Sequence, residues 1–132
     1  MSDSLRKAIH TDQAPKAIGP YSQAMEVDGW VYCSGQIPIV PEDGSIAHGI
    51  ENQAHQALKN LGEVLKAAGC GFEDVVKTQV YLSDMSDFEA VNRVYAEFFT
   101  DPFPARACIQ AAALPKGGDV EVDAVARKRE NR

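Results

Sequence analysis

The dipeptide Asp28-Gly29, set between the runs Ala24–Val27 and residues 30–34, constrains the chain more than any other feature. A two-residue connection between strands needs left-handed backbone at its centre, and Asp-Gly supplies it. The early part of the chain is therefore expected to be an antiparallel hairpin. A hairpin alone cannot bury enough apolar surface to persist in water, so the rest of the sequence must cover it.

The remaining punctuation says how. Gly35 and Pro38 end the second strand, and residues 41–49 read as a loop. Residues 50–68 carry Ala54, Ala57, Leu58, Leu61, Leu65 and Ala68 at helical spacing, with Gly69 as the stop. Val75–Leu82 is rich in β-branched residues, and strict alternation puts Val76, Thr78, Val80 and Leu82 on one face. Ser86-Asp87-Phe88-Glu89 reads as a capping box opening a helix to about residue 99, with Phe88, Val91, Tyr95 and Phe98 along one side. Pro102 and Pro104 force an extended approach to a strand over residues 106–112. Lys116-Gly117-Gly118-Asp119 then turns the chain into a last strand over residues 120–126. The order β-β-α-β-α-β-β predicts an α+β fold, a two-layer arrangement in one domain spanning residues 1–132.

Two helices cover one face of such a sheet. The other face would show Val75, Lys77, Gln79 and Tyr81 beside Glu121, Asp123 and Val125, too mixed for a core and too apolar to be wholly wet. Self-association through that face is the expectation.

Composition excludes several classes. A hydrophobic fraction of 45% and a charged fraction of 24% are ordinary globular values, so disorder and low complexity are not expected. No apolar run nears the ~18 residues of a membrane span, and the start, Met1-Ser2-Asp3-Ser4-Leu5-Arg6-Lys7, is polar, which points to a soluble cytoplasmic protein. Thirteen Lys+Arg against nineteen Asp+Glu leave a net charge of −6, unfavourable for non-specific nucleic-acid binding. The basic cluster of Arg127, Lys128, Arg129 and Arg132 reads as a solvated tail. Cys33, Cys70 and Cys108 cannot close a disulfide framework, and His10, His48 and His55 show no ligand spacing. No metal is expected.

The candidate chemistry begins at Pro104-Ala105-Arg106-Ala107-Cys108. Alternation puts Arg106, Cys108 and Gln110 on one face, and an arginine entering an apolar strand needs a partner. Two readings stand. Glu121 could neutralise Arg106 if the last two strands form a hairpin, or Arg106 could present its fork to a substrate carboxylate. Cys108 without a nearby base reads as a small hydrophobe, not a nucleophile. Tyr21 follows the rigid turn Ile18-Gly19-Pro20. Ser34-Gly35-Gln36 leaves a strand with a glycine that permits close approach, and Asn92 sits at the edge of an apolar helical stripe.

Taken together, Ile18-Gly19-Pro20-Tyr21, Ser34-Gly35-Gln36-Ile37-Pro38, Val76-Lys77-Thr78, Asp87-Phe88, Asn92, Phe103-Pro104-Ala105-Arg106 with Cys108, Leu114-Pro115-Lys116 and Val120-Glu121-Val122 resemble the RidA/YjgF/UK114 family. The resemblance runs from about residue 8 to residue 127. It implies a fold like that of bacillus-type chorismate mutase and a homotrimer with clefts between subunits. The implied activity is cofactor-free hydrolysis of reactive enamines and imines, such as 2-aminoacrylate and 2-iminobutanoate, to 2-oxo acids and ammonia. Position by position, it makes Arg106 the carboxylate binder and Glu121 the acid that positions water, with Tyr21, Ser34, Gly35, Asn92 and Cys108 lining the cleft. Other readings are a trimeric metabolite-binding regulatory or chaperone-like module and an RNA-cleaving translation inhibitor. Binding needs only Arg106, whereas hydrolysis needs Glu121 as well. Ala107 stands where the family often has serine, which leaves the substrate side chain open.

Overall fold

The computed structural model describes residues 5–129, so the first four residues and Arg132 of the basic cluster lie outside the described part. The hairpin forms as expected. Strands β2 (Ala24–Val27) and β3 (Trp30–Gln36) pair antiparallel, and Asp28 and Gly29 turn with φ of 51° and 84°. Positive φ at both positions is the geometry whose twist matches the strands it joins. A short strand absent from the sequence reading, β1 (Lys7–Ile9), adds to the free side of β2.

Helix α1 (Ile50–Ala67) follows the predicted stripe, burying Ala54, Ala57, Leu58, Leu61 and Leu65. Its end is a Schellman closure. The Cys70 amide donates to the Leu65 carbonyl at 2.8 Å and the Gly69 amide to that of Lys66 at 3.0 Å, with Gly69 at φ 83°. Strand β4 (Val75–Leu82) leads to helix α2 (Phe88–Tyr95), which starts one residue later than the capping box implies. Ser86 does not cap α2: the helix begins after Asp87 with no side-chain cap, and the Asp84 carboxylate instead accepts from the Ser86 amide at 2.9 Å, capping a 3₁₀ turn over Met85–Asp87.

Strands β5 (Ala105–Gln110) and β6 (Val120–Arg127) do not form the hairpin that their succession suggests. The sheet order is β1-β2-β3-β6-β4-β5, with β4 and β5 parallel and every other pair antiparallel. β6 therefore lies at the centre and β5 at the edge. The turn into β6 is held from two sides. Gln53 exchanges two hydrogen bonds with Asp119, its Nε2 donating to Oδ2 at 3.2 Å and its Oε1 accepting from the amide at 2.8 Å. Ser83 Oγ donates to Asp119 Oδ1 at 2.8 Å. This clasp seats Asp119 between α1 and the end of β4, which guides the next residue into the gap beside β3.

Both helices lie on one face. Leu58, Leu61 and Leu65 meet Val31, Val80, Leu82, Val120 and Val122 in a fully enclosed core. The alternation predicted for β4 fails at one position. A register shift between Val75 and Lys77 pairs Val75 with Ala126 inside the core and leaves Val76 43% exposed. The open face then shows Tyr32, Gln79, Tyr81, Ile109, Glu121, Asp123 and Val125, the mixed surface expected of it. The basic stretch over residues 127–129 is not a solvated tail. Arg127 lies over the Trp30 ring, Lys128 pairs with Glu26, and Arg129 bridges Glu73 and Asp74.

Side-chain amides anchor the loops that will matter for the site. Asn60, 1% exposed, donates to the carbonyls of Ile37 and Ile39 at 3.1 and 2.8 Å. Removing that amide takes its donor from the Ile39 carbonyl and leaves the Ile37 carbonyl with the Ile39 amide alone. Asn60→Ala is expected to cost about 1–3 kcal/mol, read as a lower urea midpoint with an unchanged slope.

Candidate functional site

The residues singled out in the sequence fall into two groups. The first is built on the edge strand. Thr78 pairs with Arg106 and Val80 with Cys108 in the parallel register, so both side chains lie on the helix-covered face. Arg106 is not buried there. β5 is the last strand of the sheet, and its guanidinium reaches an open recess of about 290 Å³ lined by Asn92, Tyr95, Ala96, Phe103, Pro104 and Arg106.

What holds Arg106 is a fixed platform, not a carboxylate. Thr78 Oγ1 and the Tyr95 hydroxyl share a hydrogen bond of 2.8 Å, and the Tyr95 ring stacks on Phe99 at 4.4 Å. The guanidinium carbon of Arg106 sits 4.8 Å from the Tyr95 ring centre and 5.6 Å from that of Phe88. Its Nη1 donates to Asn92 Oδ1 at 2.8 Å. Ring faces and a neutral amide orient the fork while leaving its charge uncompensated. Among the described residues, no carboxylate reaches ion-pair distance of Arg106. The Arg106–Glu121 ion pair considered from the sequence does not form.

Cys108 is partly buried beside this fork. Burial pushes its thiol above the ordinary cysteine range, and the Arg106 charge offsets only part of that rise. A thiol held protonated is a poor nucleophile, as the sequence suggested.

The second group lies elsewhere. Glu121 pairs with Tyr81 across β6 and β4, on the open face. Gly35 lies in β3 where pairing with β6 shifts register between Cys33 and Gln36, and its Cα faces the Glu121 side chain. Ser34 is fixed by two bonds, Oγ to the Ser22 carbonyl at 2.6 Å and its amide to the Gln23 carbonyl at 2.9 Å. Tyr21, half exposed, lines a small recess with Gly35, Ile18 and Ile37, and its hydroxyl accepts from the Ile18 amide at 3.3 Å. The buried Gln23 amide ties down the preceding segment through Thr11 and Pro15.

The electrostatics of this group favour a proton-holding acid. Burial first, and the Asp123 charge second, lift the Glu121 carboxyl above its usual range. Asp123 is itself raised by burial, but donors hold it back, chiefly the Tyr81 hydroxyl at 3.0 Å from Oδ2. Such a carboxyl gives up and regains a proton closer to neutrality than an exposed glutamate does.

The structure thus gathers Arg106, Asn92 and Cys108 in one place and Tyr21, Ser34, Gly35 and Glu121 in another. Between Glu121 and Arg106 stand two inter-strand steps, roughly 10 Å, and the thickness of the sheet. Sequence reasoning missed the platform of Tyr95 and Phe88. The spacing of Phe88, Val91 and Tyr95 marks a helix face but does not say whether that face meets the sheet or a guanidinium. The Tyr81–Asp123 bond was also missed, because it joins residues 42 apart.

An edge strand presenting a platform-mounted arginine, and an open face presenting a half-buried acid, define a small α+β protein equipped for compact anionic molecules. Comparison with known proteins narrows the class. The family model described as endoribonuclease L-PSP matches residues 11–128. The chain is 54% identical over 127 residues to the mouse 2-iminobutanoate/2-iminopropanoate deaminase, covering 96% of this chain and 94% of that one. Two solved structures share the fold. A RidA from an Antarctic Psychrobacter has a TM-score of 0.90 at 45% identity, covering 92% of this chain and 98% of that one. E. coli TdcF with bound serine has a TM-score of 0.89 at 39% identity, covering 93% and 99%. The chain belongs to the RidA/YjgF/UK114 family.

The Asp123 charge raises Glu121, so removing it lowers the Glu121 pKa. Asp123→Asn is expected to move the Glu121 titration midpoint downward, observed in the side-chain carboxyl ¹³C signal. The sign for stability follows from the same shift. A carboxyl raised in the folded state contributes stability below its unfolded pKa, and that contribution is lost as pH rises through the folded value. The variant should therefore lose less stability than the parent over that window.

Proposed function

We propose that this chain is an enamine/imine deaminase, a hydrolase of carbon–nitrogen bonds. It turns 2-aminoacrylate/2-iminopropanoate and 2-iminobutanoate into 2-oxo acids and ammonia. The observation that carries the reading is Arg106, a guanidinium fork mounted on rings and an amide and left without a counter-charge, in a chain of this family. The mouse relative is named for the same reaction, and the solved relative with bound serine holds a molecule carrying a carboxylate and an adjacent nitrogen.

The chemistry suits these groups. Protonation at carbon converts an enamine to its imine. Water adds to the imine carbon, and the resulting aminoalcohol releases ammonia, leaving the 2-oxo acid. Arg106 holds the substrate carboxylate through the donors that Asn92 does not occupy, supplying position. Glu121 holds the attacking water and passes protons. Tyr21, Ser34, Gly35, Asn92 and Cys108 shape the cleft, Cys108 as a wall and not a nucleophile. Free imines hydrolyse without help, so position and one acid–base group suffice.

One subunit cannot bring Arg106 and Glu121 to a single small molecule, because they face opposite sides of the sheet. The reading therefore includes a homotrimer whose open faces pack together, so that each cleft takes Arg106 from one subunit and Glu121 from the next. Its place of action is the cytoplasm; no described helix is long and apolar enough to cross a membrane. The family description names RNA cleavage, but the groups around Arg106 are an amide, two rings and a thiol, and among the described residues none of the paired histidines or lysines that would grip and cut a phosphodiester stands with them.

Three measurements test this. Light scattering should give about three times 14.3 kDa. Arg106→Lys and Arg106→Ala should fold, since the side chain is exposed in the subunit, yet lose roughly tenfold to a hundredfold in imine hydrolysis, about 1.5–3 kcal/mol. The assay generates 2-aminoacrylate from serine with a dehydratase and follows its capture by semicarbazide. An Arg106→Ala protein of full activity would refute the proposal. Finally, Arg106→Ala and Glu121→Gln subunits, each inactive alone, should regain about a quarter of parental activity when dissociated, mixed equally and reassembled. No recovery in reassembled trimers would place both groups in one subunit's site.

A further inference from the structure

We infer that Gly35 is a positioning residue, whose missing side chain is the seat of the Glu121 carboxylate. The inference rests on the reading of Glu121 as the water-handling acid and assigns Gly35 a task other than lining the cleft for substrate.

The backbone does not require glycine here. Gly29, Gly44, Gly49, Gly69 and Gly117 take left-handed φ, and Gly35 does not. What requires glycine is space. A Cβ built on Gly35 would overlap Glu121 Oε2, and would stand 2.8 Å from the carboxyl carbon and 3.0 Å from Cγ. Three successive atoms of Glu121 therefore lie flat against the Gly35 Cα. At Gly44, Gly49 and Gly117 the same Cβ would meet nothing.

The neighbours explain why the carboxylate rests there. On β4 the opposing residue is Tyr81, whose hydroxyl is committed to Asp123. Along β6 the next residue on the same face is Asp123, whose charge repels Glu121; Lys77, on β4, acts on Asp123. With a ring on the β4 side and a like charge along the strand, the free direction is toward β3. There Gly35, at the register shift, presents no side chain. Alanine would move the carboxylate by about 1 Å, and a displacement of that size near reacting atoms costs on the order of a hundredfold.

The test is Gly35→Ala in the full-length protein. Imine hydrolysis should lose roughly tenfold or more in kcat while KM stays within about threefold, because carboxylate binding at Arg106 is untouched. The Glu121 ¹³C midpoint should fall, because the displaced carboxyl leaves its buried seat. In a Glu121→Ala background, where nothing remains to displace, adding Gly35→Ala should leave the thermal midpoint of Glu121→Ala unchanged. A Gly35→Ala protein with parental kcat and an unmoved Glu121 midpoint overturns the inference. If Gly35→Ala fails to fold, the double variant must fold as Glu121→Ala does; a double variant that stays unfolded also overturns it. Failure of the underlying reading looks different. Should Glu121→Gln keep full activity, Glu121 is not the acting acid, and the ¹³C midpoint alone then decides the seat: moved in Gly35→Ala it stands, unmoved it falls.

Discussion

Everything in this structure depends on β6 entering the sheet between β3 and β4. The Gln53–Asp119–Ser83 clasp sends the chain into that gap, and pairing on both sides turns two separate sets of strands into one sheet. The same insertion decides where charge can go. It puts Glu121 at the centre, shielded by β3 and β4, where burial shifts its titration. It leaves β5 at the edge, where Arg106 keeps access to water and to a ligand. A simple hairpin of β5 and β6 would have set the two side by side as an ion pair, each neutralising the other.

The platform beneath Arg106 shows how a cation can be held ready without being neutralised. A carboxylate partner would bind the fork more tightly and make it useless for a second anion. Aromatic faces and an amide orient it with a smaller free energy, so an arriving carboxylate meets a donor set that is already aligned. Thr78 and Phe99 matter to this only through Tyr95, whose ring they hold from its hydroxyl and from its face.

Local features of the fold were legible in the sequence. The Asp28-Gly29 turn, the α1 stripe with its Gly69 stop, and the order of the later elements rest on residues adjacent in the chain. β1 escaped notice because three residues carry too little alternation to register. The cap on α2 was misassigned because Asp84 and Ser86 are both good capping residues, and Asp84 opens a 3₁₀ turn that takes Ser86 into itself. Strand order was not legible, since nothing in residues 105–127 states that β6 passes over its predecessor to reach β3. From that one gap follow the false Arg106–Glu121 partnership and the missed Tyr81–Asp123 bond. The individual site residues were named through family resemblance, not through spacing. Their division between two faces became visible only with the sheet assembled.

The central position of β6 also bears on how the chain acquires its fold during synthesis. Translation delivers β1, β2 and β3 first and β4 and β5 later, as two sets of strands with no pairing between them. The strand that joins them comes after both, and its partners begin as far back as Trp30, which aligns with Arg127. Contacts that span so much sequence close slowly. Until residues 120–127 have left the ribosome, β3 and β4 each carry an unpaired edge beside exposed apolar surface, a state prone to joining other chains. The nascent protein therefore depends on being kept apart from its neighbours until the last strand arrives, more than a fold made of successive hairpins would.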